Sequence, residues 1–193
     1  RVSTMHVSSG RWLYGFVLAM ITTVLWAVLP IMLKEVLKGM DPYTVTWYRL
    51  FSAGLVLFIW LAVRGRLPSI RALSTNNRWL LAVAIIGLAC NYVFYLMGLS
   101  RLTPGTMQLM IQTAPIMLMF GSMLVFRERF GLGQVLGVLV LLPGFVLFFN
   151  QRLVELFTQM TSYTVGILIT LAAAFTWALY GLAQKQLLTI WSS

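Results

Sequence analysis

Apolar residues run along this chain in six blocks of roughly 20 residues, separated by short polar segments. A helix rises 1.5 Å per residue, so a block of that length crosses a hydrocarbon core of about 30 Å. The pattern predicts spanning helices at Trp12–Leu33, Tyr43–Val63, Trp79–Leu99, Pro104–Phe126, Leu132–Phe149 and Tyr163–Leu188. The fold class is therefore all-α: a polytopic membrane helical bundle. The first block follows Arg11 as a signal peptide would, but it is too long for a secretory core and has no small-residue cleavage site after it. It reads as a helix that stays attached.

The sixth block repeats the first at an offset of 151 residues: Gly15, Trp26, Ala27 and Lys34 align with Gly166, Trp177, Ala178 and Lys185. Val17 and Leu18 find apolar partners in Leu168 and Ile169. Five crossings separate the copies, so they traverse the membrane in opposite directions, the mark of an inverted-topology repeat and of many secondary transporters.

Composition agrees with the block pattern: 60% of residues are hydrophobic, 9% are charged and mean hydropathy is +0.90. A net charge of +10 would suggest nucleic acid in a soluble protein, but here the distribution of charge argues for a topology signal and no nucleic-acid partner. Nine basic residues fall on one side, at Arg1, Arg11, Arg64, Arg66, Arg71, Arg78, Arg127, Arg129 and Lys185. Four (Lys34, Lys38, Arg101 and Arg152) fall on the other, with the acids Glu35, Asp41 and Glu155. The positive-inside rule then predicts a cytoplasmic N-terminus. The basic loop at 64–78 can also lie against anionic headgroups of the bilayer.

Catalytic and metal chemistry find little material. Cys90 is the single cysteine and His6 the single histidine, and no Asp or Glu falls inside a predicted span. Nucleophilic catalysis needs a neighbouring base, and metal sites need clustered ligands. The expectation is a protein that is not an enzyme, with no metal and no cofactor. A carboxylate for proton coupling is likewise missing from these spans.

Polar side chains inside the spans are the informative remainder, since hydrocarbon gives them no partner unless the bundle supplies one. Thr22, Trp26 and Pro30 share a face of the first span. Ala173, Trp177 and Gly181 are their counterparts in the sixth, with Tyr180 and Gln184 nearby. Pro30 and Gly181 predict a paired weak point where each helix bends or opens. Gln108, Gln112 and Pro115 share a face of the fourth span, and Gly87, Asn91 and Tyr95 one of the third, with Tyr92 beside them. These groups would either line a cavity for a small neutral or zwitterionic molecule or act as glue between helices. Gly133 and Gly137 form a GxxxG that predicts close helix packing. Arg49 lies two turns into the second span. It would snorkel outward or pair with Asp41 or Glu35, or alternatively capture a substrate carboxylate.

Several segments carry a resemblance: the span-one Leu-Trp with downstream Lys34, WYRLFSAG around Arg49, Pro115 followed by FRERFGLGQVLGVLVLLPGFVLFF, and the restart GILITLAAAFTWALYGLAQK. Together they resemble the EamA-type branch of the drug/metabolite transporter superfamily. Phe126 to Arg129 occupy the place of the family's Gly-Glu-Arg-like signature, with Phe126 and Arg127 where small residues are common, and Arg49 matches the arginine typical of its second helix.

The resemblance implies a ten-helix permease of two inverted five-helix repeats, N-terminus cytoplasmic, in a bacterial inner membrane. Such a protein would export small metabolites such as amino acids and be a monomer when full length. On that basis 1–11 is a cytoplasmic tail, 12–150 the first repeat, 151–162 an external linker and 163–193 the first helix of a truncated second repeat, so that six helices of an expected ten are present. The expected mechanism is alternating access around a cavity between spans one, three, four and six. Trp26, Arg49, Asn91, Gln108, Gln112, Trp177 and Tyr180 are the candidate substrate-binding residues. A passive channel or facilitator for small neutral solutes is the alternative, and a membrane-embedded enzyme a remote one.

Overall fold

A computed structural model describes residues 12–65, 74–127, 131–149 and 161–191. The predicted tail at 1–11, Arg66 and Arg71 of the basic loop, Glu128 and Arg129 of the signature, and most of the 151–162 linker lie outside the described residues. The described residues form seven helices: α1 (Trp12–Val36), α2 (Pro42–Val63), α3 (Thr75–Arg101), α4 (Pro104–Ile111), α5 (Thr113–Phe126), α6 (Leu132–Phe149) and α7 (Ser162–Trp191). Five stretches are long and apolar enough to cross a membrane, with α4 and α5 counting as one, and Leu132–Phe148 is a shorter apolar helix. The chain is an integral membrane protein of polytopic helical build. Large apolar side chains point outward along α1 and α2, where lipid takes the place of a protein partner.

Three helices start where the sequence supplies partners for their free N–H groups. Asp41, Ser74 and Thr103 sit at the N-caps of α2, α3 and α4 and accept from Thr44, Asn77 and Thr106 N–H groups respectively. Pro42 and Pro104 occupy first-turn positions, where a missing N–H costs nothing. The fourth predicted span is two helices: at Gln112 the backbone turns, α4 ends and α5 begins. Pro115 explains the break, since its ring has no N–H to return to the Ile111 carbonyl four residues earlier.

The bundle is organised on α3 and α7, which run antiparallel at close range. A Cβ on Gly87 would meet the Thr176 carbonyl at 3.1 Å, and one on Gly98 would meet Thr170 Oγ1 at 2.4 Å. A Cβ on Gly166 would meet Leu102 at 2.9 Å. Small residues let the two backbones approach where lipid offers no hydrophobic drive for association. Ala173, Ala174 and Ala178 of α7 are buried along this seam. α5 lies parallel to α7, with Gly121 opposite Leu182 and Gly181 opposite Leu118. Leu33, Val45, Leu96, Leu99, Leu102 and Met107 form the core where α1, α2, α3 and α4 converge.

Contacts fix the directions. The end of α1 meets the end of α3 through Lys34, while α3 and α7 oppose one another. The two repeat-related helices α1 and α7 therefore cross the bundle in opposite senses.

Two expectations need correction. α7 runs unbroken through Gly181, whose missing side chain makes room for Leu118 at 3.0 Å, so the helix does not open there and this glycine serves packing. Among the described residues nothing packs on Gly133 or Gly137: a Cβ on either would meet none of them within 4 Å. Among the described residues α6 touches the core through Phe145 instead.

Candidate substrate cavity

A polar face in a helix of hydrocarbon-spanning length must be answered by another helix or by a cavity, and here both answers occur together. A cavity of about 580 Å³ opens between α1, α2, α3, the α4–α5 break and α7. Trp26 and Leu29 line it from α1, Arg49 from α2, and Leu88, Asn91, Tyr92 and Tyr95 from α3. Gln108, Ile111, Gln112, Ala114 and Pro115 contribute from the broken helix, and Trp177 and Tyr180 from α7. The structure thus brings all seven candidate residues to one cavity and adds α2 to the four predicted walls. Thr22, Pro30, Gly87, Ala173, Gly181 and Gln184, named on the same faces, do not line it; the Thr22 hydroxyl is exposed and donates to the Leu18 carbonyl at 2.8 Å.

The amides do two jobs at once. Asn91 Nδ2 donates to the Ala173 carbonyl at 2.8 Å, a buried bond that ties α3 to α7 while the side chain borders the cavity. Gln108 Nε2 donates to the Trp26 carbonyl at 3.4 Å. That carbonyl lies four residues before Pro30, whose nitrogen has no hydrogen to give it. Pro30 is buried inside an unbroken α1, and the backbone group it leaves without a donor is satisfied from α4. Gln112, at the turn between α4 and α5, is exposed to the cavity.

Arg49 departs from the pairing part of its structural expectation. Asp41 is engaged as the α2 cap, accepting from the Thr44 hydroxyl and from the Thr44 and Tyr43 N–H groups. These bonds, the Thr44 hydroxyl foremost, hold its carboxyl below the usual carboxylate range. Glu35 pairs with Lys38 at 2.6 Å. The Arg49 guanidinium lies over the Tyr92 ring, 4.7 Å from its centroid, a cation–π contact at the cavity wall. Neither acid named for it is its partner.

Four lining residues were not foreseen: Leu29, Leu88, Ile111 and Ala114. Helical spacing carries a signal for three of them, since Leu29, Leu88 and Ile111 stand three positions from Trp26, Asn91 and Gln108. Lys34 was given no structural partner from sequence, yet its ammonium donates to the carbonyls of Leu99, Ser100 and Leu102 at 2.6, 3.0 and 2.8 Å. It caps the end of α3 from the end of α1, where a cation also meets the negative pole of the helix dipole. Among the described residues there is no group of three or more potential metal-binding side chains.

Residues 13–150, most of the chain, match the EamA-like transporter family. The chain belongs to this family. Within it, the chain is 42% identical over 176 residues to the uncharacterized inner membrane transporter YhbE of Escherichia coli strain K12, covering 90% of this chain and 54% of that one. An uncharacterized transporter of Haemophilus influenzae is 34% identical over 181 residues, 94% of this chain and 58% of its own length. A chloroplastic WAT1-related protein of Arabidopsis thaliana is 28% identical over 125 residues, 63% of this chain and 29% of its own. The chain thus spans a little over half the length of its bacterial relatives. No solved structure matches it. It is a membrane protein of a transporter family, with helices long and apolar enough to lie in a bilayer.

Proposed function

We propose that the protein is a secondary carrier that exports small metabolites, amino acids among the candidates, by alternating access at the α1–α3–α4/α5–α7 cavity. Trp26, Arg49, Asn91, Gln108, Gln112, Trp177 and Tyr180 hold the substrate. The observation that carries the reading is the cavity itself: five helices direct amides, aromatic rings and one cation into a single space of about 580 Å³, within the volume usual for small-molecule sites. Support for alternating access comes from the opposed directions of α1 and α7, which match at the 151-residue offset. Two such halves rocking about a shared cavity expose it to each side in turn. In this reading the N-terminus is cytoplasmic, the membrane is a bacterial inner membrane, and the remaining length found in relatives completes the second repeat.

Counterflow in proteoliposomes of the full-length protein tests it. Vesicles are preloaded in turn with neutral amino acids, nucleobases and other small metabolites while labelled tracer is followed. Saturable exchange of one class is the expected result. Linear, unsaturable flux would indicate a channel or facilitator, and no exchange by correctly folded protein would overturn the carrier.

A further inference from the structure

Charge at the cavity wall narrows the substrate class. Of the fourteen side chains that line the cavity among the described residues, Arg49 alone is ionised at neutral pH. A guanidinium is a permanent cation, and this one is half-buried beside a ring where water screens it poorly. Its nearest candidate carboxylates are committed to the α2 cap and to Lys38. The remaining wall is aromatic and amide: Trp26, Tyr92, Tyr95, Trp177 and Tyr180 offer flat apolar faces, and Asn91 and Gln108 already spend a donor on backbone carbonyls.

We infer that the cavity selects an organic monoanion with a flat apolar body, the anionic group on Arg49 and the body between the tryptophan and tyrosine faces. This rests on the carrier reading above and names its substrate class. An anion neutralises the Arg49 charge and takes a forked pair of hydrogen bonds from it. A neutral amide leaves that charge unanswered, an amine adds a second positive charge, and a zwitterion brings an ammonium for which this wall holds no carboxylate. Uniport of such an anion is electrogenic, because one negative charge leaves with each substrate. An inside-negative potential favours export by about 50-fold in concentration ratio for each 100 mV.

Four compounds of one body and different charge test this: 3-phenylpropionate (anion), 3-phenylpropionamide (neutral), phenylalanine (zwitterion) and phenethylamine (cation). Full-length protein in liposomes is assayed for counterflow of each, with protein-free liposomes as baseline and the potential set by potassium and valinomycin. The expected result is exchange of 3-phenylpropionate about tenfold or more above the other three, a ratio worth about 1.4 kcal/mol. Its net efflux should rise when the interior is made negative, and Arg49→Gln should bring acid and amide to equal rates. Equal or faster exchange of the amide or of phenylalanine, or a preference that survives Arg49→Gln, overturns the charge preference and leaves the carrier standing. Exchange of none of the four also overturns it. If the metabolite panel above fails too, the carrier reading falls with it.

Discussion

Gln108 of α4 donates its side-chain amide to the carbonyl of Trp26 on α1, the group that Pro30 leaves without a helical donor. The pairing makes a sharp energetic prediction. Gln108→Leu should destabilise the full-length protein by about 0.6 to 2 kcal/mol, the range for polar bonds between membrane helices. Pro30→Ala restores an N–H four residues after Trp26, so the double variant Pro30→Ala/Gln108→Leu should lose less than the two single changes sum to. Thermal unfolding in detergent completes the double-mutant cycle. Strict additivity would mean that the two residues do not share this carbonyl.

Gly98→Ala should be among the most damaging small changes in the chain, because its methyl would sit 2.4 Å from Thr170 Oγ1. Overpacking of this kind costs about 1 to 3 kcal/mol. The contrasting change is Gly54→Ala, where a Cβ meets nothing within 4 Å. That substitution should be neutral or stabilising, since alanine is the better helix former. Similar melting temperatures for the two variants would contradict the close α3–α7 seam.

Lys34→Met keeps the length and apolar stem of the side chain and removes its three carbonyl contacts. Hydrogen bonds to a charged group are worth about 1.5 to 3 kcal/mol, and loss of this cap should appear as a drop in melting temperature of full-length protein. Hydrogen exchange at the α3–α4 corner should rise as well. An unchanged protein would show that the Lys34 contacts do not hold α1 to the end of α3.

Asp41 carries the pH prediction. Its folded-state carboxyl lies below the ordinary value because the charged form accepts from Thr44 and Tyr43. A depressed folded value means that the contribution is complete above the usual carboxylate range and is lost as pH falls through the folded value. The difference in melting temperature between the protein and Asp41→Asn should therefore be constant near neutral pH and shrink below about pH 4. A difference that persists unchanged at lower pH would contradict the cap.

The cavity was readable from sequence to the extent that hydrocarbon makes polar residues conspicuous. Asn91, Gln108, Gln112 and Arg49 stand out as side chains that need an interior, and the 151-residue repeat pairs Trp26 with Trp177. Side-chain chemistry alone did not reveal their neighbours. Arg49 faces Tyr92 because α2 and α3 run antiparallel with Tyr43 near Met97, a register absent from local pattern. The fourth span breaks at Gln112 while the apolar periodicity continues across it. Gly133 and Gly137 show the converse, a packing motif whose face the described residues do not cover.

Access to Gln112 is the most direct test of the central claim that this cavity is the transport path. A cysteine placed at Gln112 in a Cys90→Ser background, in full-length protein, is exposed to a membrane-impermeant maleimide from either face of oriented vesicles. Alternating access predicts reaction from both faces. Reaction from neither face, or from one face alone, would contradict it.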